Sequence, residues 1–155
     1  MYTAITCKIR ELYKHPNADK LQLAKVLGYT VIVGNDRKVG ELGVLFSTDG
    51  QLSLDFLKEN DLLRKDIIDE NGKIKRVGYF DETGRIISQK LRGIKSEAFW
   101  VPISYFDYII KQSKKPLPKE FFKEGYKFNS LNEIHICNKY IPKRNPRAKN
   151  ENIIK

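Results

Sequence analysis

Leu21-Gln22-Leu23-Ala24-Lys25-Val26-Leu27-Gly28-Tyr29-Thr30-Val31-Ile32-Val33-Gly34-Asn35-Asp36 is the stretch that sets the fold class. Its first half alternates between apolar and polar, with one slip at Ala24-Lys25, and its second half is β-branched, so both halves read as short strands. Gly28 allows a tight turn between them, and Gly34-Asn35-Asp36 ends the second. Upstream, Tyr2 to Tyr13 is again rich in β-formers. Ile5, Cys7 and Ile9 point one way and Thr6, Lys8 and Arg10 the other, until a phase shift at Glu11-Leu12 suggests a bulge. His15-Pro16-Asn17-Ala18-Asp19 is a turn in which Asn and Asp side chains can bond back to nearby amides. Downstream, Val44-Leu45-Phe46 makes a further short strand. About four strands in the first 50 residues is the pattern of a small barrel or sandwich.

The period then changes. Ser53 suits a helix cap, Leu54 and Leu57 lie three apart, and Phe56 and Leu63 lie seven apart, so Leu52 to Leu63 holds a short helix or two turns. Asp66 to Arg85 is polar, with Asn71-Gly72 and Glu82-Thr83-Gly84 as turn signals, and fits an exposed hairpin around Ile74 and Val77. Ile86 to Ile103 is apolar and returns to the sheet. Ser104 to Ile110 reads as a brief helix, and Phe121 to Phe128 with Ile134 to Cys137 as one more hairpin or strand. The expected organisation is a β domain over residues 1–110 and a basic extension or linker over 111–155, partly packed on it.

The chain has 155 residues, 29 Lys and Arg against 19 Asp and Glu, and a net charge of +10. Residues 1–110 hold 17 basic and 15 acidic side chains, and residues 111–155 hold 12 and 4, so most of the excess is carboxy-terminal. Asn138 to Lys149 packs five cations and two prolines into twelve residues with no acid. Proline blocks helix, so this is a loop or extended arm, suited to lying along a polyanion, to linking modules, or to both. A 41% hydrophobic share is enough for a core and excludes disorder throughout. No apolar run reaches the roughly 20 residues of a membrane span, and the amino terminus lacks the pattern of a secretory signal. Cys7 and Cys137, 130 positions apart, form no disulfide framework or metal pair, which fits a reduced intracellular setting.

No phosphate-cradling glycine loop, dinucleotide fingerprint or recognisable metal set occurs. Cys7 as a nucleophile would need His15 or His135 as its base. A cysteine within a strand pattern is far more often core. These residues offer no self-contained active site.

Two segments, His15-Pro16-Asn17-Ala18-Asp19-Lys20-Leu21 and Leu91-Arg92-Gly93-Ile94-Lys95-Ser96-Glu97-Ala98-Phe99-Trp100, together resemble OB-fold nucleic-acid-binding domains of the tRNA-binding type. Leu23 to Val33 and Lys38 to Leu52, with Lys90-Leu91-Arg92-Gly93 and Lys139-Tyr140-Ile141-Pro142-Lys143, resemble more closely the amino-terminal OB domain of ATP-dependent RNA ligases, many of them viral. The resemblance covers most of residues 3–145. It implies a mainly β, OB-fold-like five-stranded barrel with short helices and the basic extension. It also implies a module that holds RNA ends or a nick for a separate adenylyltransferase domain, in cis or trans, in the cytoplasm or that of a host. ATP and Mg belong to that other domain, because its Lys-x-Asp/Asn-Gly motif is missing here and no catalytic lysine can be carried over. No cofactor is expected in this chain. The alternatives are a protein-interaction module docking on the ligase core or another partner, and a free-standing tRNA-binding protein.

The residues expected to contact RNA are Lys8, Arg10 and Lys14 on the polar phase of the first strand, Lys20 after the turn, and Arg92 and Lys95 flanking Gly93. Lys139, Lys143, Arg144 and Arg147 join them from the basic arm. His15, Pro16, Asn17 and Asp19 read as structural. Tyr2, Tyr13, Tyr29, Tyr79, Phe99 and Trp100 are the aromatics available for core or for stacking on bases.

Overall fold

The structure, a computed structural model, describes residues 2–77 and 80–142. Strands run at Ala4–Lys8 (β1), Glu11–Lys14 (β2), Leu21–Val26 (β3), Tyr29–Gly34 (β4), Leu42–Ser47 (β5) and Gly50–Leu52 (β6), followed by helix α1 at Leu54–Glu59. Lys65–Ile68 (β7) and Ile74–Val77 (β8) pair as one hairpin, and Gln89–Leu91 (β9) and Ile94–Ser96 (β10) as another. Ala98–Pro102 (β11) leads through a 3-10 turn at Ile103–Phe106 into helix α2 at Asp107–Ser113. A second 3-10 turn at Lys119–Phe122 precedes four short strands: Lys127–Phe128 (β12), Ser130–Leu131 (β13), Ile134–His135 (β14) and Cys137–Lys139 (β15).

The molecule is mainly β, as expected, but its strands lie in several sheets and do not close into a barrel among the described residues. One sheet has the order β11-β5-β1-β12 and another the order β2-β3-β4. The phase shift at Glu11 marks where the chain passes from one to the other. Ile9 N donates to Glu41 O (3.0 Å) beside β5, and the next amide, Arg10 N, donates to Lys25 O (2.9 Å) on β3. At the opposite seam, Glu97, just before β11, joins β4 through one backbone bond among the described residues, Glu97 N to Thr30 O (2.9 Å). The strands separate there because side chains occupy the β4 edge. Thr30 N donates to the Glu97 carboxylate (2.8 Å) and Ile32 N to the Ser96 hydroxyl (3.1 Å), where a closed barrel would have a strand.

The first sheet is buried on both faces. Cys7, Leu45, Ala98 and Trp100 face the second sheet, packing with Ile9, Ala24, Val26, Val31 and Val33. Ala4, Val44, Phe46 and Val101 face the other way, into a core built by α1, α2, Phe80, Ile86, Phe121 and Phe128. A strand covered on both faces reads as a continuous apolar run, which is why Val44-Leu45-Phe46 shows no alternation. Gly43 serves this layer by absence. A Cβ there would sit 2.2 Å from the Trp100 ring and 2.3 Å from Val101 O, so only glycine lets the indole cross β5. The expected helix is α1, with Ser53 Oγ accepting from Phe56 N (3.2 Å) as its cap. The expected polar hairpin is β7–β8, turning through Asn71-Gly72.

Both cysteines are core residues, and burial pushes the Cys7 and Cys137 thiols up to about 12. Burial moves the Tyr2 and Tyr108 hydroxyls in the same direction. The unfolded chain therefore releases these thiol protons first. Their contribution to stability is fully present below the ordinary thiol value of 9.0 and is lost as pH rises from there toward 12. Urea midpoints should hold through neutral pH and fall above pH 9. Neither thiol should react with Ellman's reagent at pH 8 until urea unfolds the chain, and fast labelling of the native protein would contradict this burial.

Candidate nucleic-acid interface

The two segments singled out in the sequence meet in space. His15, 1% exposed, anchors the first: His15 N donates to Leu21 O (3.2 Å), and Asn17 N donates to His15 Nδ1 (3.0 Å). Asn17 Nδ2 then crosses to the second segment and donates to Arg92 O (2.9 Å). The bonds of this turn are made by His15 and Asn17, while Asp19 is exposed. Arg92 and Gly93 form a two-residue hairpin turn, both left-handed (φ 51° and 87°), between β9 and β10. Thus Lys20, on one turn, and Arg92, on the other, sit on neighbouring loops, with Lys14 at the end of β2 beside the first and Lys95 on β10 beside the second. All four are exposed.

Lys90 is a fifth cation here, and the sequence reading missed it as a contact. It lies directly opposite Lys95 in the β9–β10 ladder, and both side chains are exposed. Like charges facing one another across strands cost stability. Only the register shows this pair, so spacing alone could not have exposed it. The acid that follows, Glu97, is committed to Thr30 N (2.8 Å).

The remaining expected residues sit elsewhere. Lys8 Nζ lies 3.6 Å from Glu124 Oε1, and Arg10 bonds the other oxygen of the same carboxylate. Lys139 is on β15, paired with β6 in a separate sheet, where the Arg85 guanidinium lies 4.6 Å over the adjacent Tyr140 ring. Lys143, Arg144 and Arg147 lie outside the described residues, as does Tyr79.

Between β2 and β4 the sheet offers an outward face beside the cationic turns. Ala24, Val26, Val31 and Val33 point inward, so alternation turns Leu23 and Ile32 outward in one row with Tyr13. Tyr13 is 48% exposed, and its hydroxyl donates to Glu11 Oε1 (2.6 Å), a bond that raises its pKa. Tyr29 is also exposed, whereas Trp100 is core and Phe99 packs against Phe46 and Phe80. In the loop after β4, Arg37 bridges Asp36 (2.9 Å) and Glu41 (2.6 Å), and its hydrogen bond holds the Asp36 carboxyl below the ordinary value. The arrangement can present cations and apolar or aromatic surface to a polyanion. Among the described residues, no group of three or more His, Cys, Asp or Glu side chains is placed to hold a metal ion. No described helix is long and apolar enough to cross a membrane.

No protein-family model matches the chain, and no curated protein matches it. Among solved structures it is similar to the RNA ligase of Naegleria gruberi. Against that ligase with PPi, the TM-score is 0.51 at 21% identity, covering 70% of this chain and 30% of that one. Against an arginine-to-alanine mutant of it with ATP and Mn, the TM-score is 0.50 at 22% identity, with the same coverage. The chain thus spans about 30% of the length of the ligase chains it matches, and what the two share at this identity is fold.

Proposed function

We propose that this chain is an RNA-binding module related to the OB-like part of RNA ligases. In that role it holds RNA ends or a nick for an adenylyltransferase domain that this chain does not supply. The observation that carries the reading is the Asn17–Arg92 bond, which sets the Lys14, Lys20, Arg92 and Lys95 loops side by side next to an outward face bearing Tyr13. Cations on adjoining loops, with an aromatic beside them, suit a phosphate backbone whose bases stack on the sheet. The strand path supports the OB-like part: β11-β5-β1 on one side and β2-β3-β4 on the other are joined by the short link from β1 to β2, with the β4–β11 seam left open. The fold shared with a ligase supports the choice of partner.

The test is a filter-binding titration of the purified chain with single-stranded RNA at two salt concentrations. Binding should weaken steeply with salt, by a slope near 0.7 per phosphate neutralised. No binding at low salt would sink the RNA reading. Joining of nicked RNA by this chain with ATP would overturn the division of labour.

The β7–β8 hairpin favours a second reading, a protein-docking role. Ile68 and Ile74 face each other across its tip at 72% and 71% exposure, and such surface commonly meets another polypeptide.

A further inference from the structure

The open β4–β11 seam is also a cleft. Past the Glu97–Thr30 bond, Ile32 N turns to Ser96 Oγ, whose own hydrogen goes to Ala98 O (3.1 Å), and the two strands part. The space between them is about 340 Å³, at the small end of the range for organic-ligand sites. Leu21, Ile32, Ile86, Phe80, Phe99 and Tyr105 give it apolar walls, three of them aromatic.

Its edges carry hydrogen-bonding groups. Val101 O points at β5, since it lies 2.3 Å from where a Cβ on Gly43 would sit. Alternation then aims the Trp100 N–H and C=O away from β5, toward the cleft. On the facing wall, Thr30 O and Ile32 N already point into the seam, so Ile32 O does too. Gln89 adds an amide, half-exposed and without a hydrogen bond among the described residues. No uncommitted cation lines the space: Arg37 is held by both Asp36 and Glu41. Outside it, exposed Lys20 directly precedes Leu21 of the lining, and its carbonyl accepts from Asn35 N (3.1 Å) next to the cleft wall.

A flat ring with donors and acceptors around its edge, joined to a charge that stays outside, fits these walls. We propose that the cleft takes one unpaired nucleobase of the bound RNA, edge-on to the free backbone groups of β4 and β11 and to Gln89, with its phosphate left at Lys20. This deepens the RNA-binding reading and rests on it.

Trp100, the chain's single tryptophan, lines the cleft and reports on its occupancy. The full chain is titrated with AMP, UMP, ribose 5-phosphate and an RNA oligonucleotide while Trp100 fluorescence is followed. AMP or UMP should give a saturable change and ribose 5-phosphate none. Gln89→Ala should weaken the response about fivefold, the value of one hydrogen bond, at an unchanged urea midpoint. Ile87→Ala, at the exposed lip, is the second variant and should weaken it as well. Salt-dependent RNA binding with no Trp100 response to oligonucleotide or nucleotide overturns the cleft and leaves the RNA reading standing. A nucleotide response without RNA binding overturns the RNA reading and leaves a mononucleotide site. An equal response to ribose 5-phosphate, or a response only to an extended apolar peptide, overturns the nucleobase assignment.

Discussion

Phe56→Ala should remove about 3–5 kcal/mol of unfolding free energy in urea titrations, the usual cost of emptying a phenylalanine site in a core. Phe56 is fully buried, and its ring is the hub of the larger core. Its centroid lies 5.6 Å from Phe46, 5.4 Å from Phe106, 6.1 Å from Tyr108 and 6.4 Å from Tyr105. Those partners come from β5, the 3-10 turn and α2, so the cavity opens where these elements meet α1. Helix α1 has six residues, too short to persist without that packing. Against a domain stability of about 5–15 kcal/mol, the loss leaves much of the population unfolded at modest urea. Phe122→Ala, at a ring 46% exposed, is the control and should change the midpoint little. A loss below about 1 kcal/mol for Phe56→Ala would mean that the aromatic cluster does not hold this layer.

Lys95→Glu should move two observables in opposite directions. RNA affinity should fall roughly tenfold, because a charge-assisted contact to phosphate is worth about 1.5 kcal/mol or more. Thermal stability should rise, because a carboxylate opposite Lys90 replaces a like-charge pair in the β9–β10 ladder with an attractive one, worth about 0.2–1 kcal/mol. Arg92→Glu should match the loss in affinity without the gain in stability, since Arg92 occupies the turn. Weaker binding by a better-folded protein separates a functional cation from a structural one. If Lys95→Glu leaves RNA binding intact, the β9–β10 hairpin is not part of the interface.

Local features were legible in the sequence because local physics decides them. The β3–β4 hairpin, the Ser53 cap, the polar β7–β8 hairpin and the break at Glu11 each follow from neighbours a few residues apart. Thr6 shows where that reading stops. It falls on the polar phase of β1 yet is fully buried, because the first sheet is covered on both sides. The incomplete ladder at β4–β11 depends on Ser96 and Glu97 taking backbone amides more than sixty residues away. Lys8 and Arg10 read as a cationic strand face, but both meet Glu124, and no spacing rule reports a partner 114 positions distant. The candidate site was half visible. Both turn segments stood out, whereas the Asn17–Arg92 bond that unites them and the Lys90–Lys95 opposition exist only in three dimensions.

The passage of one short stretch of chain, residues 4–14, from the first sheet into the second has a mechanical consequence. Neither layer can loosen alone, since slack in one is taken up by the same backbone that braces the other. A disturbance at the aromatic hub therefore reaches the loops that face the polyanion along a shared beam.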